Sequence, residues 1–139
     1  MAEGIMKKRL KELGKEGIMV RSAGTRTING FSPTAHTAEV LKDEGAELDN
    51  FKSTAINKDI IERSDLILVM EAMHKDEVLK LVPEAASKTF LLREYGRTQG
   101  RGADAIAGEI PDPIGGAVSE YRTCLNLIKE DIERIVKIL

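Results

Sequence analysis

The sequence is poor in cysteine, in histidine, in excess positive charge and in long apolar runs. Its one cysteine, Cys124, excludes an intrachain disulfide and makes a reducing, cytoplasmic setting the natural expectation. The two histidines, His36 and His74, lack metal-ligand spacing and no Cys/His cluster accompanies them, so no metal site and no cofactor are expected. Lys and Arg number 21 against 23 Asp and Glu, for a net charge of −2. A general nucleic-acid binder would carry a basic excess, so any phosphorylated ligand must be held by local geometry. Residues 1–17 contain no signal-type apolar core, and nowhere does an apolar run reach the roughly 18 residues of a membrane span. No internal repeat or low-complexity tract is evident.

What is present alternates between helical and strand signals. Ile5, Met6, Leu10 and Leu13 share a helical face over residues 2–15, with Gly14 and Gly17 as stops. The basic run from Lys7 to Lys15 reads as that helix's solvated side. Ile18 to Arg21 is expected as a short strand leading into Ser22-Ala23-Gly24-Thr25. Asn29-Gly30 signals a turn. Ser32-Pro33 predicts a helix start, Glu44-Gly45 its end, and Asn57 or Ser53 the cap of a short helix through Ile60 and Ile61. Leu66 to Met70 is a continuous apolar run, the pattern of a parallel strand buried on both faces. A helix over 73–81, a strand over 88–92, a Gly- and Arg-rich loop over 96–108 and a rigid turn over 110–116 follow. Val118, Tyr121, Leu125, Ile128, Ile132, Ile135 and Leu139 then alternate at three and four. That spacing fits a coiled-coil seam or a terminal helix packed on a sheet, and the second reading is preferred. At 139 residues the chain makes one domain. The order is that of an α/β phosphate-handling domain with a parallel, doubly wound sheet, read without the strand and anion loop that would precede its first helix.

Asp112 is the best single candidate for chemistry. Pro111 and Pro113 fix φ on both sides and hold its carboxylate on a stiff loop, the presentation a general acid requires. An ordinary Asp-Pro turn with a glycine exit fits the same letters. Ser22 to Thr25 could offer backbone N–H groups to an anion, or be a plain strand-to-loop transition. Cys124 falls inside a helix and away from both histidines, so it reads as a structural thiol. Arg97 and Arg101 flank the loop before Asp112 and read as either phosphate contacts or solvated side chains.

Six segments in order carry a resemblance: MAEGIMKKRL, VRSAGT, NGFSPTAHTAEVLKDEG, STAINKDIIERSDLILVM, KTFLLREY and DPIGG. Together they resemble the low-molecular-weight protein tyrosine phosphatase family, including its bacterial arginine-phosphatase branch. The resemblance implies a three-layer, flavodoxin-like α/β fold with strand order 2-1-3-4. It also implies a Cys-x5-Arg-Ser-Pro loop ahead of MAEG, whose Cys is the nucleophile and whose N–H groups and Arg cradle the phosphate. These residues contain neither that Cys nor that Arg. Asp112 corresponds to the family's general acid, and Ile28 and Ile114 stand where many relatives place aromatic pocket walls. Aliphatic walls cannot stack on a phenyl ring in the same way, which leaves phosphotyrosine and phosphoarginine both open. An arsenate reductase, related in fold, needs a relay of further cysteines and is excluded.

The resemblance thus implies a phosphorylated protein or a small aryl phosphate as partner, and neither nucleic acid nor membrane. Without the first strand the sheet is expected to have orphaned inner edges, closed over or paired with a second copy as a homo-oligomer. Two readings of the missing loop are expected: an N-terminally truncated phosphatase that starts at an internal Met, inactive alone, or a non-catalytic binding domain.

Overall fold

In a computed structural model of the chain, the described residues are 1–46, 48, 50–97 and 108–139. Positions 98–107 of the expected glycine-rich loop, Arg101 among them, lie outside these. The elements run α1 (Ala2–Glu12), α2 (Ala35–Asp43), α3 (Lys58–Arg63), β1 (Ile67–Val69), α4 (Ala72–Leu81), a 3-10 segment (Pro83–Lys88), β2 (Thr89–Leu91) and α5 (Val118–Ile135). They gather into two compact units, Met1–Ala55 with Asp112–Leu139, and Ile56–Pro111.

The first unit is built on α5. Tyr121, Leu125, Ile128, Ile132 and Ile135 are all buried, and they meet α1 through Ile5, Met6 and Leu10 and α2 through Val40 and Leu41. The three-four spacing therefore serves a packed terminal helix and not a coiled-coil seam. Gly4 permits the close approach of α1 and α2, since a Cβ there would lie 3.4 Å from the Leu41 side chain. Charged residues fix the rim: Lys129 Nζ lies 2.6 Å from Glu44 and Arg122 2.6 Å from Asp43. The start of α2 departs from expectation. Thr34, not Ser32, is the cap, its hydroxyl accepting the Thr37 N–H at 3.2 Å, while the Ser32 hydroxyl is taken by Lys52.

The expected strand over 18–21 does not form. A strand exists only with a ladder partner, and among the described residues none pairs with it, leaving Met19 78% exposed. Among the described residues, this unit's strand-like pairing is an isolated parallel bridge between Gly24 and Ala55.

The second unit is a βαβ turn of chain. β1 and β2 pair in parallel with Ile67 opposite Thr89, Leu68 opposite Phe90 and Val69 opposite Leu91. Asn57 caps α3 by accepting the Ile60 N–H at 3.0 Å, as its position predicted. Ile61, Val69, Val78, Val82 and Ala85 form the core. Only Val69 of β1 is buried, fewer than the apolar run 66–70 suggested, because this strand has a single neighbour among the described residues.

Candidate active site

The first turn of α1 and three loops of the same unit build the site. The N–H groups of a helix's first turn have no intrahelical acceptor and carry partial positive charge, so this end of α1 favours an anion. Glu3 sits in that turn. Its Oε2 accepts the Ser22 N–H at 2.9 Å and the Ser22 hydroxyl at 2.5 Å, and Lys7 pairs with Oε1. Burial pushes the Glu3 carboxyl up, but the bonds from Lys7 and Ser22 outweigh it and hold the group below its ordinary value. Ser22 thus meets a carboxylate, as an anion-facing loop would, but the anion is the protein's own.

Beyond Ser22 the chain turns tightly. Gly24 donates its N–H to Thr54 at 2.9 Å, and any Cβ on it would come within 2.7 Å of Thr27. Asn29 Oδ1 accepts the Ala55 N–H at 2.7 Å. Ile28, on this loop, is 66% exposed.

Asp112 lies on the loop that enters α5. Its Oδ1 accepts the Ile114 N–H at 3.0 Å, so the side chain is pinned by its own backbone as well as by two prolines. Among the described residues its Oδ2 accepts no bond. Ile114, two residues on, is 71% exposed. Gly116 leaves room for the Glu120 carboxylate, whose Oε2 accepts the Ala117 N–H and starts the helix; a Cβ there would displace that side chain.

Cys124 is one turn further along α5 and buried. Burial pushes its thiol above the ordinary value; the Met1 amino group offsets part of this and the Asp112 charge adds to it. A nucleophilic thiol needs the opposite shift, which agrees with a structural role. The same coupling puts Asp112 and the start of α1 within electrostatic reach of one sulfur.

The structure therefore puts Asp112 and the Met1 amino group within electrostatic reach of Cys124, ties Ile114 to Asp112, joins Ser22 to Glu3, and leaves Ile28 on its own loop. His36 packs edge-on against Tyr121 with centroids 5.2 Å apart, and Arg97 donates to the Arg93 carbonyl. Glu3 was missed as a partner because the pair it forms is 19 residues apart. Among the described residues no group of three or more metal-ligating side chains converges, and no helix is long and apolar enough to cross a membrane.

The family model described as low molecular weight phosphotyrosine protein phosphatase matches residues 1–139. The chain belongs to that family. It is 32% identical to a protein-arginine-phosphatase of Geobacillus stearothermophilus, over 87% of this chain and 76% of that one. Among solved structures, the YwlE arginine phosphatase, as a mutant with a phosphorylated active site serine, superposes with a TM-score of 0.87. It is 27% identical and covers 99% of this chain and 85% of its own. Vibrio vulnificus Wzb, bound to benzylphosphonate, gives 0.84 at 26% identity, covering 99% and 88%. The α/β, flavodoxin-like fold is thus that of the protein phosphatases, a hydrolase family, and among the described residues its sheet is the parallel pair β1 and β2.

Proposed function

We propose that these residues supply the general acid and the substrate rim of a protein phosphatase that acts through a cysteinyl-phosphate. In that reaction a thiolate from a Cys-x5-Arg loop, which the 139 residues do not contain, attacks phosphorus. The bond to the leaving group breaks and Asp112 gives that group its proton. Water then attacks the cysteinyl-phosphate, Asp112 takes a proton from that water, and the S–P bond breaks to release phosphate and the thiolate. The observation that carries this reading is the double restraint on Asp112, which commits Oδ1 to Ile114 and leaves Oδ2 for the proton.

The phosphorylated serine of the YwlE mutant supports an enzyme-bound phosphoryl group in a relative. Phosphoarginine is the favoured substrate. The aliphatic walls Ile28 and Ile114 suit the methylene stem of an arginine better than a phenyl ring that would seek an aromatic face. A non-catalytic phosphate-binding role is the second reading, favoured by the buried, protonated state of the sole thiol.

The test is a graft that joins a strand and Cys-x5-Arg-Ser-Pro loop ahead of Met1. We expect the 139 residues alone to release no phosphate from an aryl phosphate or a phosphoarginine peptide. We expect the graft to do so, with kcat about 10²–10⁴-fold lower in Asp112→Asn. Turnover by the ungrafted chain that survives Cys124→Ser and disappears in Asp112→Asn would refute the need for the loop. A graft that binds substrate but never turns it over would favour the binding role.

A further inference from the structure

Ile28 and Phe31 are large apolar side chains, 66% and 58% exposed, only three residues apart on a short loop. Apolar side chains so exposed gain little from burial, so something other than a core must hold the loop in one shape. Gly30 lies between them at φ +98°, a conformation that any other residue adopts with strain. The loop's own residues make no regular structure.

One residue holds it. The Ser53 hydroxyl donates to the Ile28 carbonyl at 2.6 Å and accepts the Phe31 N–H at 2.9 Å. The Ser53 N–H donates to the Phe31 carbonyl at 2.8 Å, and its carbonyl accepts the Gly30 N–H at 2.9 Å. Four bonds from a single serine thus reach three of the four loop residues, and the fourth, Asn29, is tied to Ala55 two positions on. The hydroxyl donates and accepts through one atom close to the backbone, a geometry that among other residues threonine copies most directly. A carbonyl and an N–H facing each other across a turn would otherwise need water, and the turn would gain alternatives.

We infer that Ser53 is a positioning residue for substrate: it locks the Ile28–Phe31 loop so that Ile28 is presented as a preformed wall. The inference rests on the reading of Ile28 as a pocket wall, and predicts that Ser53 acts on the loop without touching the phosphoryl group. A preformed wall lowers the ordering cost of binding, which otherwise falls on the ligand.

The experiment is amide hydrogen exchange by NMR on the 139-residue chain, with Ser53→Ala, Ser53→Thr and Ile28→Ala. Ser53→Ala should speed exchange at Phe31 about tenfold and broaden the Ile28 signals, with the α1 and α5 amides unchanged. Ser53→Thr should restore both. Unchanged exchange at Phe31 in Ser53→Ala, a uniform rise across the whole unit, or failure of threonine to rescue would each overturn the clamp. Because exchange needs no turnover, this result stands apart from the wall itself. In the grafted protein Ile28→Ala reads the wall, and an unchanged KM there would sink the premise while leaving the clamp measured.

Discussion

Two carboxylates near the start of α1 have been given opposite surroundings. Asp112 has one backbone donor on one oxygen, which sets its direction. Glu3 has three donors from Ser22 and Lys7, which suit only the ionised form. The first is oriented by its own backbone; the second is a structural anion that fastens Ser22 to the helix. A carboxyl whose folded pKa is lowered adds stability at pH values above its unfolded pKa and loses it as pH falls through the folded one. Glu3→Gln keeps the size and an acceptor for Ser22 but not the charge. The parent should therefore be the more stable near neutrality, and the two should converge as pH drops from about 5 towards about 3. Urea midpoints measured across that range decide it, and a difference that stays constant with pH would show that the charge of Glu3 is immaterial.

At the scale of elements, helices with a strong local signal are legible, although the Ser32-Pro33 start signal lies two residues ahead of the true cap, Thr34. α5 was legible because its apolar spacing needs only the period of a helix, and α3 because Asn57 caps it from one residue away. The strand over 18–21 failed because strand formation is a relation between two segments, and apolar letters in one of them cannot report the other. Ser53 and Glu3 were illegible for the same reason, since their partners lie 19 to 25 residues away. The elements also separate stability from function in a measurable way. Ile132 on α5 has no exposed surface, whereas Ile114 is 71% exposed. Ile132→Ala should cost about 2–5 kcal/mol, and Ile114→Ala should stay within about 0.5 kcal/mol. Chemical denaturation gives both values. An Ile114 variant as damaging as the Ile132 one would mean that Ile114 is packed and is no substrate wall.

These 139 residues carry one thiol, and its burial in the first unit makes it a reporter on that unit's integrity. Fold assignment rests on the full length of the chain, since one family model spans both units. Burial raises the Cys124 pKa, so at neutral pH the folded state holds a protonated sulfur out of contact with reagents. A thiol reagent should then react through unfolding and not through the native surface. Labelling should be slow in native buffer and reach the rate of a free thiol in urea. Its midpoint should match that of α1, α2 and α5 melting by circular dichroism. Asp112→Asn removes a charge that disfavours the thiolate, yet labelling of the native protein should hardly rise, because access and not ionisation is limiting. Fast native labelling that Asp112→Asn accelerates further would place Cys124 at the surface of the site. Its reading as a core side chain would then fall.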